Sequence, residues 1–271
     1  MKDKKLEQEH FNNKSTVYGP VTSWRLGESL GIDPIFVEST CSFNCIYCQL
    51  GNIQNITDAV KEYIPAQQVI DDYRSIIDSG KKVDVITYSG SGEPTLAANI
   101  DQMIKGIREL TPNIPQYILT NATELHKEEV RKRILGLDKV IVKIDAPNEK
   151  IFQAINRPAA GITLESVIEG IKAFQKEFQG QIEVQTMFMP MNKKETQQLA
   201  EILKEIKPSL VQLNTPKRPY PMSWHRENRG NHLGIADYET RSLKVLSPEE
   251  AQEVEATLTK ITGLKIQSIY R

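Results

Sequence analysis

Six short apolar runs, each followed by a stretch of helical period, predict an α/β fold with a parallel sheet. Six units fall short of the eight that close a full barrel, so the expected architecture is a partial (β/α)6, TIM-like barrel. A third observation concerns its interior. Side chains on a strand repeat every two residues. Lys143 and Asp145 therefore share a face, as do Glu183 and Gln185, and Gln212 and Asn214. The alternate residues Val140, Val142, Ile144, Val184, Phe188, Val211 and Leu213 suit a helix-covered side. The barrel is thus expected to enclose a polar lumen at the strand C-terminal ends.

The elements follow in order. Met1 to Ser15 reads as a flexible tail, and the Gly-rich stretch Tyr18 to Gly31 as a surface lead-in or a flap. Strands are expected at 32–38, 83–89, 116–120, 139–145, 182–189 and 210–214. One amphipathic helix spans about 66–79, with Val69, Ile70, Tyr73, Ile76 and Ile77 on one face and Gly80 ending it. A second carries Leu164, Val167, Ile168, Ile171, Phe174 and Phe178 and stops at Gly180. A third carries Leu199, Ile202, Leu203 and Ile206 and stops before Pro208. Ser247-Pro248-Glu249-Glu250 is a capping box with proline at the first helical position. It predicts a last helix, followed by a short strand at 265–270. The stretch between Pro219 and Lys244 has no clear period, which is long for a connection and points to a functional loop or lid. His225 and His232 within it read as surface histidines. No break in composition demands a second domain. The chain is read as one domain, with a lead-in at 1–30, a core at about 31–215 and a C-terminal extension at 216–271.

Composition narrows the function classes. Lysine and arginine number 34 against 35 acidic residues, a net charge of −1. That balance gives no support for a nucleic-acid partner, which usually demands a basic excess. Three cysteines leave no even disulfide framework, so a reducing, cytoplasmic setting is expected. The first 14 residues lack the apolar core of a signal peptide. No apolar run approaches the roughly 20 residues that span a bilayer, so no membrane association is expected.

All three cysteines fall in one octapeptide, Cys41-Ser42-Phe43-Asn44-Cys45-Ile46-Tyr47-Cys48, spaced C-x3-C-x2-C. Thiolates this close can converge on one metal centre. On a four-iron cluster, three ligands would leave one iron open to chemistry. Zinc is the alternative. It would normally require a fourth Cys or His nearby, and the next downstream histidine is His126. A zinc-binding module would be colourless, whereas a four-iron cluster absorbs visible light.

This loop, including the aromatic Tyr47 before the third cysteine, resembles the signature of the radical S-adenosylmethionine (SAM) superfamily. The resemblance implies a [4Fe–4S] cluster on Cys41, Cys45 and Cys48, with SAM chelating the open iron. It further implies reductive cleavage of SAM to a 5′-deoxyadenosyl radical, which abstracts hydrogen from a substrate not identified by the sequence. A reductant such as flavodoxin or ferredoxin would supply the electron. The lead-in is similar to that of the iron–sulfur oxidoreductase group related to wyosine-base (tRNA imidazoguanosine) synthases, Y/F-G-P-V-x-S-x-R-L-G-x-S-L-G-x-D. Tyr18, Gly19, Pro20, Val21, Ser23, Arg25, Leu26, Gly27, Ser29, Leu30, Gly31 and Asp33 match it. A tRNA-modifying wyosine-type activity is the enzymatic alternative. In the family it relies on a second cluster, and no cysteine is left over for one.

The remaining motifs sit where the resemblance needs them. Ser89-Gly90-Ser91-Gly92-Glu93-Pro94 follows the second expected strand. It is similar to the superfamily's GGE-type turn, which binds the SAM amino group, so Gly90, Ser91, Gly92 and Glu93 are expected at the cofactor. Two glycines also permit a sharp turn and close backbone approach. Asn121 and Asp145 end the third and fourth expected strands, and Gln185 shares the lumen face of the fifth. In the superfamily such polar residues contact SAM ribose and carboxylate. On the substrate side, Lys143 is expected in the lumen, and Arg157 and Arg218 near strand ends, where a planar guanidinium could hold a carboxylate or phosphate.

Overall fold

The computed structural model describes residues 15–230 and 238–270. The expected tail apart from Ser15, and His232, lie outside the described residues. Strands β1 (Val17–Ser23) and β2 (Gly27–Ile32) come first, then a two-residue pair, β3 (Thr40–Cys41) and β4 (Asn55–Ile56). The larger strands β5 (Val85–Tyr88), β6 (Gln116–Thr120), β7 (Lys139–Lys143), β8 (Gln181–Met187) and β9 (Leu210–Asn214) follow. After them come β10 (Tyr220–Pro221), β11 (Thr240–Arg241) and β12 (Ile266–Ser268). Among the described residues one eight-stranded sheet runs β1-β2-β5-β6-β7-β8-β9-β12. From β2 to β9 it contains the six parallel strands of the expected partial barrel, and β12 extends it in parallel beside β9.

The first strand corrects the expectation. The apolar run at 32–38 is not extended beyond Ile32. The Asp33 carboxylate accepts from the backbone N–H of Ile35 (3.1 Å) and Phe36 (2.9 Å), and Phe36 adopts a left-handed φ of 53°. That local side-chain turn competes with strand geometry. The parallel ladder instead begins in the stretch read as a lead-in, where β1 and β2 form an antiparallel hairpin. Its apolar signal is hidden because small residues sit against larger ones. A Cβ on Gly31 would lie 2.1 Å from the Tyr18 ring, so only glycine fits there.

The helices arise as their periods predict. Ala66–Ile77 buries Val69, Tyr73 and Ile76. Leu164–Gln175 is capped by Thr163, whose hydroxyl accepts from Ser166 N at 3.1 Å. Thr196–Ile206 ends where Lys207 turns left-handed, one residue before Pro208. A fourth amphipathic helix, Ile100–Leu110, fills the β5–β6 crossover. Pro248–Thr262 carries the predicted capping box. Val140, Val142, Ile144, Val184, Phe188, Val211 and Leu213 are all buried in the core on the helix side, as strand parity requires. No helix among the described residues is long and apolar enough to cross a membrane.

Candidate active site

The parallel strands point their C-terminal ends at a cavity of about 430 Å³, within the range of small-molecule sites, roughly 300–1,000 Å³. Cys41, Cys45 and Cys48 line it, each a free thiol. Two backbone hydrogen bonds fasten their loop to the turn after β5: Thr40 N to Ser91 O, and Glu93 N to Thr40 O, both 3.0 Å. Gly92 is what allows this approach, since a Cβ there would lie 1.7 Å from Thr40 O. The other side of the loop is held by the end of the helix Glu149–Ile155. Asn44 N donates to Asn156 O and Ile46 N to Ile155 O, both at 3.0 Å. Phe43 meets Phe152 edge-on at 5.3 Å.

Polar side chains reach two of the sulfurs. Asn121 Nδ2 lies 3.6 Å from Cys41 Sγ, and Asn156 Nδ2 lies 3.5 Å from Cys45 Sγ. Burial pushes all three thiols up from their ordinary value, Cys45 to about 12, with Asp145 adding to it. Thiolates in such a setting form against a bound cation. No three His, Cys, Asp or Glu side chains among the described residues gather around a position for a single metal ion. A cluster differs in that each thiolate takes a different iron.

Most of the predicted cofactor residues converge on this cavity. Tyr47, Gly90, Gly92, Glu93, Asn121 and Gln185 all line it. The Glu93 carboxylate is held by four donors: Thr95 N, Thr95 Oγ1 (2.7 Å), Thr120 Oγ1 (2.6 Å) and Asn121 N (2.7 Å). Burial nevertheless raises its pKa, against the pull of those donors. Lys143, from β7, lies between Gln185 (3.1 Å) and Asp145 (3.5 Å), with its ammonium 5.0 Å above the Tyr47 ring.

Three expected residues are positioned differently. Ser91 turns away from the cavity because its hydroxyl donates to Asp33 Oδ2 at 2.6 Å. Asp145 is buried behind the wall. Its carboxylate accepts from the Tyr47 hydroxyl, Asn156 Nδ2 (2.8 Å) and Met187 N (2.7 Å). It thus holds the cysteine loop's aromatic residue rather than facing the lumen. Arg157 is exposed, has a left-handed φ of 47° and does not line the cavity, whereas Arg218 does. The loop beyond Pro219 packs on the cysteine loop through His225 N to Leu50 O (3.0 Å). The His225 ring stacks on Tyr238 and meets Glu227, outside the cavity lining.

Sequence reasoning assigned no role to Asp33, Ser42, Asn156 or Arg25. Ser42 accepts from Asn121 Nδ2 at 2.8 Å and so fixes that amide beside Cys41. Asn156 sits next to the arginine that drew attention. Asp33 and Arg25 were visible only as matches in the lead-in pattern.

Comparison with known proteins agrees with this geometry. The family model described as the radical SAM superfamily matches residues 36–205. The UPF0026 protein of Synechocystis sp. is 44% identical over 91% of this chain and 92% of its own length. Among solved structures, Streptococcus suis SuiB bound to S-adenosylmethionine superposes with a TM-score of 0.60 at 18% identity. That match covers 85% of this chain but only 48% of SuiB, so this chain spans about half its length. A structure of TYW1 with a lysine–pyruvate adduct bound gives a TM-score of 0.57 at 14% identity, over 86% of this chain and 73% of that one. At such identities the two structures share the fold alone. With a family match across well over half of its length, on the strands and loop that build this cavity, the chain belongs to the radical SAM superfamily and is an enzyme.

Proposed function

We propose that Cys41, Cys45 and Cys48 hold a [4Fe–4S] cluster and that SAM binds beside it, against the Gly90–Glu93 turn. The observation that carries this reading is the convergence of the three thiols, the glycine turn and Asn121 on one cavity wall. The residues fit the group. The donors are soft thiols from one loop, and the Gly92 backbone is pressed against that loop so closely that no side chain fits between. When bound, the pair would supply reductive cleavage of SAM and a 5′-deoxyadenosyl radical for hydrogen abstraction.

The chain's own contribution is positioning and exclusion of water. The Gly90–Gly92 backbone offers close polar contact to the amino group of SAM. Glu93 orders that turn by anchoring Thr95, Thr120 and Asn121. Asn121 and Asn156 donate toward Cys41 and Cys45. Such hydrogen bonds stabilise charge on sulfur and tune the potential of a bound cluster. Lys143 and Gln185 form the lumen wall that an incoming substrate would meet.

Anaerobic reconstitution with iron and sulfide, reduction with dithionite and chromatography for 5′-deoxyadenosine test the proposal. Product that vanishes in Cys45→Ala supports it. Stoichiometric zinc, without iron or sulfide, in anaerobically purified protein would overturn it.

A further inference from the structure

The amide beside Cys41 has two possible orientations with opposite effects. Asn121 Nδ2 lies 3.6 Å from Cys41 Sγ. Turned over, the same side chain would set its carbonyl oxygen against the sulfur. An N–H stabilises charge on sulfur and a carbonyl oxygen opposes it, so the orientation sets the sign of the contact.

Three side chains close a ring that fixes this orientation. Asn121 Nδ2 donates to Ser42 Oγ (2.8 Å), Ser42 Oγ lies 2.7 Å from Thr123 Oγ1, and Thr123 Oγ1 lies 2.9 Å from Asn121 Oδ1. The proton direction around the ring has one solution. An amide nitrogen only donates, so Ser42 accepts there and its own proton passes to Thr123. The Thr123 proton goes to Asn121 Oδ1. The Glu124 carboxylate is farther, at 3.2 Å, and is paired with Lys127 at 2.6 Å. The Thr123 backbone N–H also meets Asn121 Oδ1, at 3.1 Å. Turning the amide over would set two donors face to face.

The ring is sealed from water. Ser42 is 0%, Thr123 1% and Asn121 7% exposed, and neither Ser42 nor Thr123 lines the cavity. In such surroundings hydrogen bonds strengthen one another, and a lost partner is costly. The ring uses one Nδ2 proton of Asn121 and leaves the other for Cys41. Cys45 is served differently: Asn156 Nδ2 meets its sulfur at 3.5 Å and is held by the Asp145 carboxylate at 2.8 Å.

We infer that Thr123 is a positioning residue for the iron–sulfur group. Through the ring with Ser42 and Asn121 it holds an N–H on Cys41 and so raises the reduction potential. The inference rests on the reading of Cys41 as a cluster ligand.

The test is an anaerobic redox titration of reconstituted, SAM-free protein, followed by electron paramagnetic resonance, with iron and sulfide counted on the same samples. Thr123→Val keeps the shape and removes the hydroxyl. At unchanged iron content it should be about threefold to tenfold less readily reduced, a potential about 30–60 mV more negative for one electron. Thr123→Ser should restore the wild-type value. Ser247→Ala, at a helix N-cap outside the site, should not move it. Where Asn121→Leu takes up iron, adding Thr123→Val should shift the potential no further, because Thr123 acts through that amide. If Thr123→Val takes up little iron, Thr123→Ala is read in its place. Loss of iron in both would make Thr123 a support of the loop and overturn the inference. An unchanged potential in Thr123→Val, no restoration in Thr123→Ser, an equal shift in Ser247→Ala or a further shift in the Asn121→Leu background would each overturn it as well. Wild-type protein that takes up zinc and no iron or sulfide would defeat the cluster reading and this inference together. A wild-type cluster of unaltered potential in Thr123→Val defeats this inference alone, so the two failures are distinguishable.

Discussion

Asp33 and Arg229, 196 residues apart in the chain, form a buried ion pair with Arg229 Nη1 2.8 Å from Asp33 Oδ2. The same carboxylate accepts from Ser91 Oγ and from the backbone of Ile35 and Phe36. Asp33 also packs against Gly90, where a Cβ would lie 2.4 Å from its Cγ and φ is +132°. One side chain therefore joins the end of β2, the glycine turn and the C-terminal segment. The Arg229 guanidinium lies over the rings of Tyr18 (5.1 Å) and Phe36 (5.4 Å) and donates to Ser15 O.

Removing one partner of a buried pair leaves the other charge uncompensated, a cost of about 3–5 kcal/mol. Arg229→Met is expected to lose stability on that scale in urea unfolding. Asp33→Asn keeps the shape but weakens the hold on Ser91 and Arg229. It should weaken SAM binding while iron content after reconstitution stays near wild type. Equal loss of iron and SAM affinity would show that Asp33 supports the whole loop rather than the turn.

Gly92 offers a sharper disruption. Alanine there must push against the Thr40 carbonyl, a backbone atom that cannot rotate away. The two backbone bonds that fasten the cysteine loop to the turn would part. Gly92→Ala is expected to retain little iron after reconstitution, whereas Gly80→Ala is not. Gly80 has a left-handed φ of +71° but nothing within 4 Å of its Cβ, so it carries local strain without touching the loop. Iron and sulfide analysis of the two variants checks this.

The Tyr47 hydroxyl donates to Asp145, which is almost wholly buried. Tyr47→Phe leaves that oxygen of Asp145 with the single donor Asn156. The cost should be about 1–3 kcal/mol, the usual penalty for stranding a buried polar partner. Because Asp145 faces the loop and not the lumen, SAM affinity should fall by less than the stability loss implies. A variant of wild-type stability with abolished SAM binding would instead place the hydroxyl at the cofactor.

Where the sequence was legible, the reason is local. Strands β6 and β9 lie where their apolar runs predict, residue for residue, because periodicity alone specifies them. Lumen parity was readable in part for the same reason: Lys143, Gln185 and Asn214 reach the cavity, whereas their face-mates Asp145, Glu183 and Gln212 do not line it, being held by Tyr47 and by the Lys139–Glu183–Gln212 contacts. The cysteine loop and glycine turn were readable because their spacing is compact. What was missed depends on distant partners. Ser91 resembles a cofactor contact until Asp33, 58 residues away, takes its hydroxyl. Asp145 resembles a ribose ligand until Tyr47, 98 residues away, occupies it. The β1–β2 hairpin was missed because Gly31 and Ser29 pack by being small, facing Tyr18 and Thr87, and carry no apolar signal.

The capping box at Ser247 supplies a prediction outside the site. Glu250 N donates to Ser247 Oγ (3.2 Å), and Ser247 N donates to Glu250 Oε2 (2.9 Å). Ser247→Ala should cost about 1 kcal/mol, as for other N-caps, with no change in iron content. The Ser247 N–H first, and then Lys193 at 3.1 Å, hold the Glu250 carboxyl below its ordinary pKa. The folded value therefore lies below the unfolded one. Its contribution is present at neutral pH and is lost as pH falls through the folded pKa. Glu250→Gln removes that dependence. Wild type should be the more stable at pH 7, and the difference should shrink as the pH drops into the carboxylate range. A difference independent of pH in urea unfolding would mean that the glutamate acts through packing and not through its charge.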